Sequence, residues 1–180
     1  MTILNLTIPG TNGQGFVSLS DLREEASRRD AREFERRYPA PGLHVIDVGE
    51  GENLEKETSG VQLLTMLNRG TSALRYLDQV GFLVKRPGNP FPNFVSVGRA
   101  ANNDLVIGVE TVSKLHAYFT FEDGAWRLTD YRSTNGTRLN GEAIEGGQPV
   151  PVSDGDQLLI GKEVTAVFLT PASLHARARA

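Results

Sequence analysis

Five turn dipeptides crowd into the second half of the chain: Asp123-Gly124, Asn135-Gly136, Asn140-Gly141, Gly146-Gly147 and Asp154-Gly155. Asn-Gly and Asp-Gly suit tight hairpins because both central residues of a type I′ turn need positive φ. Between and before them lie short runs rich in β-branched and aromatic residues: Phe82 to Lys85, Phe94 to Val97, Leu105 to Ile107, Ala117 to Phe121, Trp126 to Thr129, Gln157 to Ile160 and Val164 to Thr170. Turn signals at this density across roughly 90 residues predict an all-β sandwich, with Trp126 and Leu128 in its core. Strands and helices do not alternate along this stretch, which argues against a parallel α/β sheet.

The first 80 residues have a different period. Residues 21 to 37 read as one helix with Ser18 or Ser20 as N-cap, acids early, arginines late, and Pro39 and Pro41 closing it. Its i,i+4 pairs are Glu24 with Arg28, Glu25 with Arg29 and Glu33 with Arg37, beside a thin apolar face of Leu22, Ala26, Phe34 and Tyr38. A second helical pattern runs from about Val61 to Val80, its stripe of Leu63, Leu67, Leu74 and Leu77 expected in a core and interrupted by Gly70. The sequence thus divides into a helical or irregular region at 1–80, a β domain at 81–170, and a flexible tail at 171–180.

Composition excludes several function classes. Of 180 residues, 19 are Lys or Arg and 22 are Asp or Glu, a net charge of −3 spread without a basic arm; a dedicated nucleic-acid binder would cluster cations. The chain contains no cysteine, which removes disulfides, thiolate nucleophiles and Cys-ligated metals. His44, His116 and His175 are too scattered for a metal motif. No apolar run reaches bilayer length, and Met1 to Gly10 lacks the basic start of a signal peptide, so the expected location is cytoplasmic, away from membranes. Walker loops, a Gly-x-Ser-x-Gly elbow and kinase signatures are missing, so no enzyme activity and no cofactor are expected.

Polar residues gather instead at three predicted strand edges: Gly98-Arg99, Ser113-Lys114-Leu115-His116, and Ser133-Thr134-Asn135-Gly136-Thr137. Loops at one end of a sandwich converge in space. The inventory of one guanidinium, one ammonium, hydroxyls at Ser113, Ser133 and Thr134, and the Asn135 amide is donor-rich. It suits capture of a phosphate by charge-assisted hydrogen bonds and is poorly equipped for hydrolysis.

The order Gly98-Arg99, Ser113-x-x-His116, Ser133-x-Asn135-Gly136-Thr137 and Asn140-Gly141 resembles the forkhead-associated (FHA) domain over about residues 81–170. The resemblance implies an eleven-stranded β-sandwich that recognises phosphothreonine in partner proteins of Ser/Thr kinase signalling, without catalysis. It further implies that Arg99 and Ser113 contact the phosphate, with Lys114 where the family often has Arg, a point charge in place of a bidentate fork. Thr134 would add a hydroxyl, and Asn135 would hold the peptide main chain. His116 would support the loop that presents Ser113, while Gly98 and Gly136 would supply backbone geometry. Thr111 sits where such domains sense the residue three after the phosphothreonine.

The first 80 residues carry no family motif. Some small bacterial FHA proteins place a phosphorylated threonine in a flexible N-terminal segment, and Thr58, preceded by acids, is the position here that resembles it; the same Thr-Ser pair also reads as a helix N-cap. The competing reading of the whole chain is a phosphate-independent assembly protein, with the sandwich as scaffold and the N-terminal helices making the contacts.

Overall fold

The computed structural model describes residues 6–49 and 73–180. Twelve strands among these residues form two sheets packed face to face. The seven-stranded sheet runs in the order β1 (Phe16–Ser18), β3 (Gln79–Phe82), β2 (Gly42–Val48), β12 (Val164–Leu169), β11 (Gln157–Ile160), β8 (Thr137–Leu139), β9 (Glu142–Ala143). The five-stranded sheet runs β10 (Pro149–Val152), β7 (Ala125–Asp130), β6 (Ala117–Glu122), β4 (Val95–Gly98), β5 (Leu105–Val106). Every pairing is antiparallel except β4 with β5. The expected all-β sandwich is therefore present, and its core includes Val97, Phe119, Leu128, Leu158 and Phe168, with Trp126 packed half-buried against it.

Turn chemistry works as the sequence indicates at two hairpins. Asp123 and Gly124 join β6 to β7 with φ of 52° and 79°, and Asn140 and Gly141 join β8 to β9 with φ of 52° and 86°. Asn135-Gly136 behaves differently. Only Gly136 has positive φ, at 77°, and the pair lies in the loop that carries the chain from β7 in one sheet to β8 in the other.

The division at residue 80 does not describe the sheet. β1 and β2 both come from the first 80 residues, and β3 straddles the boundary. These strands and β12 are buried on both faces. Phe16, Leu43, Val45 and Phe168 point to the sandwich core, and Val17, Val80, Phe82, Val167 and Leu169 point to a second core. Strands covered on both sides lose the polar alternation that marks a strand in sequence, so β2 carries no such pattern.

A helical layer covers the outer face of this sheet: α1 (Leu19–Arg28), α2 (Ala31–Arg37) and α3 (Pro171–Arg179). The single helix expected at 21–37 is two, because the Asp30 carboxylate accepts from Glu33 N at 2.9 Å and caps a new start. Ser18 caps α1, accepting from Asp21 N at 3.1 Å. The Glu24–Arg28 and Glu25–Arg29 pairs form, but Arg37 reaches Glu25 rather than Glu33. In the segment Val61 to Val80, only residues 73 onward are described. There residues 73 and 74 are helical and a turn leads into β3, with Ala73 and Tyr76 buried while Leu74 and Leu77 are exposed, contrary to the core expectation for those two residues. Leu63, Leu67 and Gly70 lie outside the described residues, as does Thr58.

Residues 171–180 are not a loose tail. Thr170 is the N-cap and Pro171 opens α3, whose Leu174 and Ala178 are buried against the helical layer. Asp154 anchors the helix start, accepting from Ser173 Oγ at 2.5 Å and Thr170 N at 2.7 Å. The i,i+4 spacing of the two apolar residues and the Thr-Pro start are standard helix signals. Leu174 is fully buried, so Leu174→Ala should lower the unfolding free energy by about 2–4 kcal/mol in urea titrations. A loss near zero would show that α3 does not pack as described.

Candidate functional site

Gly98 ends β4 where the chain must pass close to the 113–115 loop. A Cβ at Gly98 would lie 2.9 Å from Asn103 Nδ2 and against the Lys114 carbonyl oxygen, so the contact tolerates only glycine. Beyond it Arg99 N donates to Ser113 O at 2.9 Å and Ala100 N to Lys114 O at 3.1 Å, zipping the two loops together. Arg99 Nε donates to Val112 O at 3.1 Å. That bond fixes the side chain and leaves the terminal nitrogens of an exposed guanidinium without a hydrogen bond to the described residues.

Ser113 and Thr134, 21 residues apart, meet across the gap between the β5–β6 and β7–β8 loops. Thr134 N donates to Ser113 Oγ at 3.0 Å, and the two hydroxyl oxygens stand 3.4 Å apart. Asn135 Nδ2 donates to Thr111 O at 2.7 Å, which fixes the amide and keeps its oxygen and second N–H for another partner. Thr111 is half-buried, its hydroxyl accepting from Lys162 N at 3.5 Å. The Lys114 side chain is exposed and has no ion pair among the described residues. Arg99, Ser113, Lys114, Thr134 and Asn135 thus stand at one end of the sandwich, with Thr111 beside them. Ser133, counted among the donors in the sequence, is not available, because its hydroxyl donates to Asp130 Oδ2 at 2.7 Å.

His116, fully buried, ties the loops from below. Ser113 N donates to its Nδ1 at 3.0 Å, so the ring carries its proton on Nε2, which donates to Gly136 O at 3.1 Å. Gly136 needs glycine for its φ of 77°, not for space, since nothing lies within 4 Å of where a Cβ would stand.

Two further residues organise the site without having been singled out in the sequence. Asp130, buried at the end of β7, accepts from Ser133 N, Ser133 Oγ and Thr137 Oγ1 at 2.6 to 2.7 Å, folding the loop that carries Thr134 and Asn135. The Asp-x-x-Ser spacing was the available signal, since an Asp side chain capping the amide three residues on is a local turn motif. Asn103, also buried, donates from Nδ2 to Ala100 O at 2.8 Å and Lys114 O at 2.6 Å, and no local pattern announces so long-range a contact. Among the described residues, no cluster of three His, Cys, Asp or Glu could hold a metal.

Burial holds the His116 pKa below its ordinary 6.5, against the opposing pull of the Gly136 carbonyl and Asp130. The unfolded chain therefore binds the imidazole proton at a pH where the folded chain does not, and stability must fall as the pH drops through and below 6.5. Protonation would also place a hydrogen on Nδ1, facing the Ser113 N–H. His44, likewise buried and lowered, adds to the same slope. Urea unfolding between about pH 7.5 and pH 5.5 should show this decline, and His116→Gln should be less stable at the upper end with a shallower slope. Ring-proton NMR placing the His116 titration at or above the ordinary value would contradict it.

The family model for the FHA domain matches residues 95–161, from β4 to the turn after β11. The glycogen accumulation regulator GarA of Mycolicibacterium smegmatis is 30% identical over 139 residues, which cover 74% of this chain and 78% of that protein. GarA of Mycobacterium tuberculosis strain H37Rv is 34% identical over 139 residues, covering 74% and 76%. A solved FHA domain of an Arabidopsis thaliana hypothetical protein aligns with 73% of this chain and 86% of its own at 23% identity and a TM-score of 0.47. With such identity across most of the length of two curated relatives, the chain belongs to the forkhead-associated (FHA) domain family.

Proposed function

We propose that this chain is a phosphothreonine-dependent interaction module in Ser/Thr kinase signalling, acting in the cytoplasm and binding phosphorylated partner proteins without catalysis. The observation that carries the reading is the meeting of the Ser113 and Thr134 hydroxyls, on loops that also carry the exposed Arg99 and Lys114, at a point where the nearby carboxylate of Asp130 is buried and already occupied. Such a cradle offers hydroxyl, guanidinium and ammonium donors to a dianion, and charge-assisted bonds of this kind are the strong ones. In this reading Asn135 holds the main chain beside the phosphorylated residue, supported by the bond from its amide to the Thr111 carbonyl, which fixes the side chain. The relatives named above are called regulators, which fits a protein that acts by binding.

The assembly reading gains less support. Among the described residues, α1, α2 and α3 spend their apolar side chains on their own sheet, with Leu22, Ala26, Phe34 and Leu174 fully buried. No described helix is long and apolar enough to cross a membrane.

Titration with a phosphothreonine peptide and its unphosphorylated form tests the proposal. Arg99→Ala removes hydrogen bonds to a charged group and should weaken binding roughly tenfold or more with the fold retained. Asn135→Ala should weaken the peptide while dependence on phosphate persists. Burial of the threonine γ-methyl is worth about 0.8 kcal/mol, so a matched phosphoserine peptide should bind about fourfold more weakly. Equal binding of the phosphorylated and unphosphorylated peptides, or full affinity in Arg99→Ala, would overturn the reading.

A further inference from the structure

Four described residues other than glycine have positive φ: Asp78, Asp123, Arg132 and Asn140. Three are Asp or Asn, whose short polar side chains tolerate the left-handed region. Arg132 is the exception, with φ of 52°, and it stands in the Asp130–Thr137 loop, one residue before Ser133 and two before Thr134. Glycine would take this conformation without strain.

The arginine stem has a bed prepared for it. It lies along Gly146 and Gly147 in the loop before β10: a Cβ added at Gly146 would be 3.1 Å from Arg132 Cγ, and one at Gly147 would be 3.9 Å from Nε. Gly147 N donates to Asp130 O at 2.8 Å, holding this loop against the base of the Thr134 loop. Arg132 is exposed, and its guanidinium makes no hydrogen bond or ion pair with a described residue. By contrast Arg28, Arg29 and Arg37 are paired with glutamates on the helical layer. The stem runs over the glycine pair, whereas Ser113 faces Thr134 from the β5–β6 loop.

We infer that Arg132 recognises a second anionic side chain on the partner segment, near the phosphothreonine in sequence; the inference rests on the phosphothreonine reading of the adjoining cradle. The guanidinium fork matches a carboxylate or a phosphate in two parallel hydrogen bonds. Its ligand is an aspartate, a glutamate or a second phosphorylated residue, and the preferred partner is an anionic phosphothreonine segment.

The test uses the full chain and its Arg132→Gly variant, in which glycine keeps the loop's positive φ. The peptides share one phosphothreonine flanked by alanines, with a single Asp, Glu or phosphoserine moved through the four positions on either side. For the wild type, at least one placement should tighten binding about two- to fivefold over the all-alanine parent, the range for an exposed ion pair, and more salt should shrink the gain. In Arg132→Gly the ratio should fall to one, and in Arg132→Lys it should fall in part. A gain from Asp or Glu identifies a carboxylate ligand; a gain confined to phosphoserine identifies a second phosphate. No gain at any placement, or the same gain in Arg132→Gly, overturns the inference and leaves the cradle standing. A parent peptide that fails to bind, or binds equally without its phosphate, overturns the phosphothreonine reading and this inference together.

Discussion

One neutral imidazole spans the two loops that carry the hydroxyls. His116 accepts from the Ser113 amide on one side and donates to the Gly136 carbonyl on the other, from a position closed to water. The Ser113 amide finds its acceptor in this ring, and a main-chain donor is costly to leave unmade. With Ser113 and Gly136 fixed relative to each other, Ser113 Oγ falls within reach of the Thr134 amide. Gly136 O, which also accepts from Gly161 N, brings the β11–β12 turn against Thr111 and so beneath Asn135. The polar surface is thus positioned by a buried polar core, as a preorganised binding site requires.

Beneath that end, the molecule is a sandwich extended by its own N-terminus. The strands contributed by residues 16–18 and 42–48 widen the sheet and give it a second apolar face, and α1, α2 and α3 cover it. The helical layer and the loop site lie on different parts of the molecule and use different chemistry. The layer has apolar burial and paired charges, and the site has donors held by backbone contacts and left facing water. Lys85 and Asp104 show the contrast in a single pair, being buried and joined at 2.6 Å with Asp104 also accepting from Ser96 N, while Arg99 and Lys114 stay exposed.

The residues legible in the sequence were those whose reasons are local. Asp123-Gly124 and Asn140-Gly141 declare their hairpins by the φ values they adopt, and Gln157–Ile160 is a strand at the residues where its β-rich run stands. Where the reason is tertiary, the sequence carries no local sign of it. β2 is invisible as an alternating strand because the helical layer buries its second face, and Leu74 and Leu77 follow a helical stripe into solvent because the helical turn gives way to β3. The same holds at the site. The motif residues stand in order and the Asp-x-x-Ser spacing carries the bond that spends Ser133 on Asp130, but that Asn103 welds two loops is a fact of longer-range geometry. The C-terminal helix is the opposite case, since Thr170-Pro171 and the Leu174, Ala178 spacing were in plain view.

In the proposed reading the anion is received where the Arg99, Ser113 and Thr134 loops converge. Amide chemical shifts of the labelled protein, followed during titration with a phosphothreonine peptide, measure this most directly. The largest changes should fall on residues 99–100, 111–114 and 132–136, with the Ser113 and Thr134 amides foremost and the helical layer unmoved. Changes centred on α1, α2 or α3, with the loop amides still, would contradict the account.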